Sequence, residues 1–225
     1  MEKIALNLNK INNDIRLSCK IADRDPSSVR IVAATKYADI REINNLLDLG
    51  ITDLGENKAD ELLLKSKAID NRPVWHFFGH LQSNKIKKVV TIAKYIHSVD
   101  NIDTLSKIND FAKSIGKIQE VLIEVNISDE KTKFGISKGE LNNFIMDAIK
   151  YDNIKICGLM TMAPYTDDYN YIRRVFCTLR NTLGDLNNSF KNLNLLELSM
   201  GMSNDYKIAI EEGATMIRIG SAIFT

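Results

Sequence analysis

Residues 29–36, VRIVAATK, form a short apolar run that ends on a lysine, and this run sets the pattern on which the whole chain is built. The segment that follows, DIREINNLLDLG at residues 39–50, has its apolar side chains three and four positions apart, which is the spacing of one helix face. Asp39 and Glu42 have the spacing of a capping box, and Gly50 occupies the position of a C′ glycine. Together these features predict a strand followed by a helix.

The same unit recurs along the sequence, with eight apolar or β-branched runs separated by helical patterns. The runs are VRIVAATK (29–36), ITDLGEN (51–57), VWHFFGH (74–80), YIHSVD (95–100), IQEVLIEVN (118–126), IKICGLMTM (154–162), LLELSMGMS (195–203) and TMIRIGSAIF (215–224). Strict alternation predicts parallel strands joined by crossovers. Further helix boundaries are predicted by a capping-box pattern at Ser137 and Glu140, by Asp205 as a helix cap, and by Gly213 as a C′ glycine.

Eight such units predict an α/β fold, a single (β/α)8 TIM barrel that spans residues 1–225 as one domain. An open doubly wound sheet is the alternative, but such a sheet normally has a GxGxxG turn after its first strand, and the turn here, TKYADI, has no glycine. A helix precedes the first strand, with apolar residues at Ile4, Leu8, Ile11 and Ile15, whereas no final helix is expected. We expect the leading helix to take the place of the missing last one.

Composition excludes several classes of function. A formal net charge of +1 argues against binding to nucleic acid or to an anionic membrane surface. The three cysteines, Cys19, Cys157 and Cys177, contain no CxxC pair, so neither a disulfide framework nor a thiolate metal site is expected. No stretch approaches the roughly 18 apolar residues of a membrane span, and the N-terminus lacks the apolar segment of a signal peptide. We therefore expect a soluble cytoplasmic protein.

In a barrel the active site forms at the C-terminal ends of the strands, so the polar residue that closes each run is a candidate. Lys36 closes the first run directly after IVAAT. One interpretation is a solvated lysine at the point where the chain leaves the core. The other is an amine that desolvation and nearby cations keep partly uncharged, which frees it to attack a carbonyl group in Schiff-base chemistry.

The last two runs contain small residues suited to an anion. Ser199, Gly201 and Ser203 surround the exit of the seventh run, and Gly220 and Ser221 lie in the eighth. Barrels commonly bind phosphate with the loops after strands seven and eight, although a Gly/Ser-rich turn can equally be an ordinary turn. A Schiff-base lysine together with a phosphate cup predicts a site for pyridoxal 5′-phosphate (PLP).

Arg218 fits the same site, because PLP enzymes place either an acidic residue or an arginine against the pyridine nitrogen. The alternative is an ion pair between Arg218 and a carboxylate such as Glu197. His76, His80 and His97 lack the spacing of metal ligands, so no metal is expected. We expect His80 to line the pocket and His76 to be buried and hydrogen-bonded.

Several motifs, in order along the chain, resemble those of the pyridoxal phosphate homeostasis proteins. The motifs are VAATKY (32–37), LGEN (54–57), WHFFGHLQSNK (75–85), HSVD (97–100), KFGIS (133–137), GLMTMAP (158–164), LSMGMSND (198–205) and IRIGSAIF (217–224). The resemblance covers essentially the whole chain. It implies a barrel like the N-terminal domain of alanine racemase, with PLP as the cofactor.

The resemblance also implies a role for individual residues. Lys36 resembles the lysine that anchors PLP, and Arg218 resembles the partner of the pyridine nitrogen. Asn57 and Met160 resemble pocket residues, to which His80 is added from its position at a strand end. The implied phosphate cup consists of Ser199, Met200, Gly201, Gly220 and Ser221.

Members of this family are thought to bind, store and deliver PLP without turnover, with effects on vitamin B6 and amino-acid pools. The resemblance therefore implies a monomer with apo forms of PLP-dependent enzymes as partners. The rival hypothesis is an amino-acid racemase of the alanine racemase type, for which Tyr165 or Cys157 would have to serve as the second base. A Schiff-base aldolase without cofactor would use Lys36 but would leave Arg218 unexplained.

Two departures from the family pattern are visible. Lys58 follows Asn57 where an aromatic residue is commoner, which affects the rim of the pocket. The sequence has Phe224 and Thr225 where relatives usually carry glycine and a short charged tail, a departure that bears on any contact from that tail to the cofactor.

Overall fold

All eight predicted runs form strands in the computed structural model, which describes residues 2–127 and 134–225. The strands are β1 (Arg30–Ala34), β2 (Asp53–Glu56), β3 (Val74–Phe77), β4 (Tyr95–Val99), β5 (Gln119–Asn126), β6 (Ile136–Ser137), β7 (Ile154–Met160), β8 (Glu197–Ser199) and β9 (Met216–Ile219). The helices are α1 (Glu2–Ile21), α2 (Ile40–Asp48), α3 (Ala59–Ala68), α4 (Ile86–Ile92), α5 (Ile102–Ser114), α6 (Leu141–Ala148), α7 (Tyr169–Ser189), α8 (Tyr206–Glu211) and α9 (Ser221–Phe224). The strands are shorter than the runs because the runs included the turn residues at their ends.

The sheet closes into a ring of eight parallel strands. Each strand pairs with its neighbours in the order β1, β2, β3, β4, β5, β7, β8, β9, and β9 pairs with β1. The two-residue β6 is an addition that pairs with the end of β5 and was not predicted. This topology confirms the (β/α)8 barrel and excludes the open doubly wound sheet.

Alternate strand residues face the barrel interior or the surrounding helices, as the pleat of a strand requires. The small interior cluster consists of Val32, Tyr95, Leu122, Cys157, Met160 and Met216. The larger cluster lies between the sheet and the helices, and the apolar helix faces identified by their spacing belong to it. The two layers explain why β1 and β5 read as continuous apolar runs.

The start of α2 and two helix ends agree with the sequence. The Asp39 carboxylate accepts a hydrogen bond from the Glu42 N–H at 2.8 Å, and the Glu42 carboxylate accepts one from the Asp39 N–H at 2.9 Å, which completes the capping box. Gly50 and Gly213 follow α2 and α8 with φ of +86° and +99°, the left-handed conformation of C′ glycines.

The predictions for two other helix caps are wrong. Ser137 ends β6 and its hydroxyl donates to the Glu140 carboxylate across a turn, so α6 begins only after Glu140 and has no side-chain cap. Asp205 precedes α8, but its carboxylate accepts from the Met202 N–H at 2.5 Å instead of from the helix. In both cases a local turn uses the side chain that the pattern assigned to the helix.

The leading helix packs where a final helix would lie. α1 contacts α8 and α9, and the Asn7 side-chain amide donates to the Ile223 carbonyl at 2.9 Å. The Tyr206 hydroxyl donates to the Asp14 carboxylate at 2.6 Å across the same interface. The eighth run was expected to continue as a strand to residue 224, but β9 ends at Ile219 and α9 adds one helical turn after it. In the part of the chain that the structure describes, no helix has the length and apolar character needed to cross a membrane.

Candidate functional site

A cavity of about 470 Å³ opens at the carboxyl ends of the strands, beside the ends of β1 and β9. It brings together six residues predicted for one site from separate parts of the sequence. These are Lys36, Asn57, Met160, Arg218, Gly220 and Ser221. The cavity therefore has an amine, an amide, a guanidinium group and a glycine–serine turn on its walls.

Lys36 lies in the turn that follows β1 and is exposed at the cavity. Its ammonium group lies 5.1 Å from the centroid of the Tyr37 ring. The backbone around it is fixed by hydrogen bonds from the Thr35 N–H to the Gly55 carbonyl, at 3.0 Å, and from the Ala38 N–H to the Thr35 carbonyl, at 2.9 Å. The position of Lys36 at the strand end is as predicted, and the protein itself leaves the side chain exposed.

A buried ion pair holds the backbone directly behind Lys36. The Lys65 ammonium group on α3 donates to Glu56 Oε1 at 2.8 Å and to the Thr35 carbonyl at 2.7 Å. The Thr35 hydroxyl donates to the same carboxylate oxygen at 2.6 Å. Lys65 is 4% exposed and Glu56 is fully buried, so the pair joins the ends of β1 and β2 to α3 without access to water.

Arg218 projects from β9 into the cavity and is 5% exposed. Its Nη1 donates to the Ser199 hydroxyl oxygen at 2.6 Å, and its Nη2 donates to the Thr161 carbonyl at 3.0 Å. Burial lowers the pKa of Arg218 to about 10, against the favourable charges of Glu124 and Asp205, so the guanidinium group stays charged at neutral pH.

The alternative ion pair between Arg218 and Glu197 is wrong. The Glu197 carboxylate instead accepts from the Thr215 hydroxyl at 2.6 Å and lies 3.4 Å from Arg30 Nη2. Glu197 stands two residues before Ser199 on β8, nearer the amino ends of the strands. Arg218 is consequently directed at the cavity by neutral partners.

The end of the cavity where the phosphate cup is predicted is formed by two loops. Ser203 and Asn204 from the loop before α8 face Gly220 and Ser221 at the end of β9. The Ser203 hydroxyl accepts a hydrogen bond from the Ala222 N–H at 3.2 Å and so ties the two loops together. Among the hydrogen bonds of the described residues, none comes from the backbone N–H of Ser203 or Asn204, which leaves two donors in this loop for an anion.

Four predicted site residues lie away from the cavity walls. Ser199 and Met200 are fully buried beneath it, and Gly201 is buried with φ of +92°. A Cβ on Gly201 would come within 2.5 Å of the Ala209 side chain, so this glycine allows α8 to approach the end of β8. His80 is exposed and its ring stacks on Phe134 at 4.6 Å. Their assignment to cofactor binding remains a prediction.

A second cavity of about 550 Å³ lies beside the first and shares Met162 and Met202 with it. Its floor includes Glu124, which is 6% exposed. Burial, together with the nearby Asp100, raises the pKa of Glu124 to about 7. Burial also raises the pKa of Asp205, although the charge of Arg218 acts to lower it. Burial thus raises the pKa of both carboxyl groups that interact electrostatically with the Arg218 guanidinium group.

The two candidates for a second base differ in position. Cys157 lies in the interior cluster with Val32 and Tyr95, and burial raises the pKa of its thiol to about 11. Tyr165 lines the second cavity and is 94% exposed. Neither lines the cavity that contains Lys36.

His76 and His97 are both fully buried inside the barrel and hydrogen-bonded to each other, which confirms the prediction for His76. Cys19, Cys157 and Cys177 are free thiols. Within residues 2–127 and 134–225 no three His, Cys, Asp or Glu side chains come together as a metal site. The KFGIS motif begins at Lys133, which lies outside the described residues; Phe134 and Gly135 lead into β6, and the last two positions, Ile136 and Ser137, form it.

Sequence reasoning missed several residues that shape the site. Lys65 continues the buried face of α3 after Ala59 and Leu62, and this three-residue spacing was a usable signal for a buried lysine. Asn204 was overlooked beside Ser203 in the SMGMSND motif. Tyr37 and Phe224 line the cavity without any pattern that marks them in advance.

Comparisons with known proteins find relatives along nearly the whole chain. A family model described as the alanine racemase N-terminal domain matches residues 6–225. The pyridoxal phosphate homeostasis protein of Aquifex aeolicus is 35% identical over 218 residues, with 96% of this chain and 95% of the relative covered. That of a Synechocystis strain is 40% identical over 201 residues, with 88% and 92% covered.

Solved structures extend the comparison. PipY of Synechococcus elongatus, determined with PLP bound, superimposes with a TM-score of 0.88 at 28% identity, covering 99% of this chain and all of that one. Alanine racemase of Clostridium difficile superimposes with a TM-score of 0.79 at 16% identity, covering all of this chain and 60% of that one, which shows a shared fold.

Proposed function

This chain belongs to the pyridoxal phosphate homeostasis proteins, within the wider family of alanine racemase N-terminal domains, and from this premise we propose that it binds PLP in the cavity between Lys36 and Arg218. The observation that carries the proposal is the meeting of an amine, a guanidinium group and two free backbone donors on the walls of one cavity. PipY, a structural relative over nearly the whole chain, binds PLP.

The residues of the cavity fit PLP in chemical type. When bound, PLP supplies an aldehyde that a primary amine can hold as a Schiff base, on a ring that can accept electrons. Lys36 is the residue that would hold the aldehyde carbon. Arg218 would face the pyridine nitrogen, and as a permanent donor it cannot take up a proton from that nitrogen.

The phosphate end would be held by the loops before α8 and after β9. The N–H groups of Ser203 and Asn204 and the side chain of Ser221 would donate to phosphate oxygens. Gly220 permits close packing here, because a Cβ on it would lie 3.3 Å from Ala34. Asn57 and Met160 would pack on the ring from the sides of the cavity.

We infer further that the protein holds PLP without turning over a substrate and buffers it or delivers it to apo-enzymes, with secondary effects on amino-acid pools. The proposal includes a monomer in which residues 1–225 form one domain. It is supported by the lining of the Lys36 cavity, which includes neither Cys157 nor Tyr165, and by the raised thiol pKa of Cys157 in the barrel interior.

A PLP-dependent racemase is the second candidate, and one observation favours it. Glu124 has a pKa near neutrality and lies in the cavity adjoining the Lys36 site, so it is the carboxyl group best suited to exchange a proton there. Incubation of the PLP-loaded protein with L-amino acids, followed by chiral chromatography, separates the two candidates. We expect the unmodified protein to form no more D-amino acid than a Glu124→Gln control. Sustained racemisation by the unmodified protein that is lost in the variant would favour the racemase.

Borohydride reduction tests the site. Treatment of the PLP-loaded protein should attach a pyridoxyl group to Lys36, located by peptide mass mapping. Lys36→Ala should abolish this label, whereas Lys58→Ala, which changes an exposed lysine just beyond Asn57, should retain it. A label on another lysine in the unmodified protein would contradict the assignment of the anchor.

Transfer to an apo-enzyme tests the carrier role. The PLP-loaded protein and an equal concentration of free PLP are compared as donors while the activity of the recipient enzyme is followed. Faster or more complete activation by the loaded protein, or activation that survives a scavenger of free PLP, is expected. Activation no better than free PLP in both conditions would reduce the role to storage.

A further inference from the structure

A continuous chain of hydrogen-bonded side chains runs through the barrel interior from the cavity toward the opposite end. Arg218 Nη1 donates to Ser199 Oγ at 2.6 Å, and Ser199 Oγ lies 2.8 Å from His97 Nδ1. His97 Nε2 lies 2.9 Å from His76 Nδ1. His76 Nε2 in turn lies 3.0 Å from Asp53 Oδ1. The chain thus crosses four strands: β9, β8, β4 and β3, and ends on β2.

The two ends of the chain differ in exposure. Ser199, His76 and His97 are fully buried, whereas Asp53 at the start of β2 is partly exposed and lies 3.7 Å from Arg30 Nε. The carboxylate therefore stands at the amino ends of the strands, and the guanidinium group at the carboxyl ends. No other ionisable side chain is hydrogen-bonded to the links between them in the described part of the chain.

Chemistry at the ends fixes the direction of every link. The Asp53 carboxylate, which lies beside Arg30, can only accept, so His76 must carry its proton on Nε2. His76 Nδ1 then accepts from His97 Nε2–H, and His97 Nδ1 accepts from the Ser199 hydroxyl. Arg218 can only donate, which matches the free lone pair on Ser199. The reverse direction would place the bare Nε2 of His76 against a carboxylate.

The charge state of the imidazoles agrees with this direction. Burial lowers the pKa of His76 despite the favourable charge of Asp53. Burial, with the nearby imidazole of His76 and the charge of Arg218, lowers the pKa of His97 well below its usual value. Both rings are therefore neutral at neutral pH, and each has one donor and one acceptor nitrogen.

We propose that Asp53, His76, His97 and Ser199 are positioning residues that orient Arg218 toward the ligand of the Lys36 cavity. With its proton committed to His97, the Ser199 hydroxyl presents a lone pair to Nη1 and cannot rotate away. Together with the Thr161 carbonyl on Nη2, it fixes the plane of the guanidinium group and uses two of its donors. The identity of the ligand as PLP rests on the proposed function; the directed chain does not.

The direction of the chain is tested without any ligand. The ¹⁵N NMR spectrum of protein labelled at histidine reports on three imidazoles. His80 is exposed and lies outside the hydrogen-bonded chain, so it serves as the reference. We expect His76 and His97 each to show a single neutral tautomer with the proton on Nε2. A protonated ring, or a proton on Nδ1 of either, would overturn the proposal. In Asp53→Asn the amide can donate as well as accept, so a second tautomer should become populated.

The effect on the cavity is tested with Ser199→Ala, which removes the link next to Arg218. Loss of one hydrogen bond to a charged group predicts PLP binding weakened roughly tenfold, with a shifted absorption band of the bound cofactor. Ser98→Ala is the matched control, because Ser98 is a buried serine of β4 that donates to the Gly79 carbonyl at 2.5 Å and lies outside the chain.

The outcomes separate this inference from the proposed function. If the unmodified protein fails to bind PLP, the proposed function fails, and the tautomers still decide whether the chain is directed. If PLP binds and Ser199→Ala matches the unmodified protein in affinity and absorption, the positioning role is overturned. Weaker binding with an altered absorption band in Ser199→Ala, but not in Ser98→Ala, supports it; equal weakening in both would indicate a general effect of buried serines and contradict it.

Discussion

Lys65 shows how one buried charge organises the edge of the cavity. Its ammonium group bridges the Glu56 carboxylate and the Thr35 carbonyl, one residue before Lys36. The second oxygen, Glu56 Oε2, has no hydrogen-bond partner among the described residues, so the carboxylate depends on Lys65 and Thr35 for its compensation. Removing one of these two partners should lower the free energy of unfolding strongly, because it leaves a buried carboxylate without compensation.

We predict that Lys65→Met destabilises the fold by about 3–5 kcal/mol, the cost of leaving a buried charge unpaired. Urea unfolding measures the change. Lys67→Met is the control, because Lys67 lies on the same helix and is exposed. The double variant Lys65→Met with Glu56→Gln should recover part of the loss; a loss that is no smaller in the double variant would show that the pairing is not its cause.

Glu124 gives a prediction for the dependence of stability on pH. Its pKa in the folded state, about 7, lies above the ordinary value of 4.5, so the folded state binds the extra proton between these values. The contribution of Glu124 to the free energy of unfolding is therefore fully present at low pH. It is lost as the pH rises toward and past 7, and the loss is at most about 3 kcal/mol. Glu124→Gln should gain stability over the unmodified protein at pH 8 and not at pH 5. An equal effect at both values would contradict the raised pKa.

At the scale of elements, the loop between β8 and α8 is where conformation and site meet. Gly201 adopts φ of +92°, and a Cβ there would lie 2.5 Å from the Ala209 side chain. Gly201→Ala should therefore destabilise the protein by about 1–3 kcal/mol or more and weaken PLP binding, because Ser203 and Asn204 would move with the loop. Thermal unfolding and fluorescence titration measure the two effects.

Gly139→Ala is the control for that variant, since a Cβ at Gly139 would meet no atom within 4 Å. Its stability and affinity should remain close to those of the unmodified protein. Normal PLP binding in a destabilised Gly201→Ala protein would mean that the loop before α8 does not carry the phosphate contacts. The phosphate cup would then have to be sought at Gly220 and Ser221 alone.

The elements themselves were largely predictable, because period and length of apolar runs depend on local sequence. The eight strands, α1 and the capping box at Asp39 follow from such patterns. The errors lie where a side chain had two local uses: Ser137 and Asp205 bind within turns instead of capping helices. The two-residue β6 and the one-turn α9 are too short to produce a periodic signal.

The site was predictable only in part, for a different reason. Lys36, Arg218, Gly220 and Ser221 stand at strand ends, where the barrel fold itself dictates convergence. The chain from Arg218 to Asp53 depends instead on how strands are staggered across the barrel interior, which no local pattern encodes. The hydrogen bond from Arg218 to the Ser199 hydroxyl, for example, has no signal in the sequence around either residue.

For the whole molecule, the net charge of +1 means that no overall field attracts an anionic ligand. In the proposed site, recognition of the phosphate comes from local donors, the N–H groups of Ser203 and Asn204 and the Ser221 side chain. Such short-range, partly buried contacts are screened less than surface charges. Affinity for PLP should accordingly vary only weakly with ionic strength.

Ligand binding should stabilise the whole barrel. The proposed contacts join Lys36, near the start of the chain, to the loops that contain Ser203 and Ser221, near its end. At a PLP concentration 100 times the Kd, linkage adds about 2.7 kcal/mol, which for a domain of this size raises Tm by roughly 5–10 °C. Pyridoxal, which lacks the phosphate, should raise Tm less at the same concentration, and inorganic phosphate less again. Lys36→Ala should keep part of the rise due to PLP, since the phosphate contacts persist without the anchor. Equal shifts for PLP and pyridoxal would show that the loops before α8 and after β9 do not bind the phosphate.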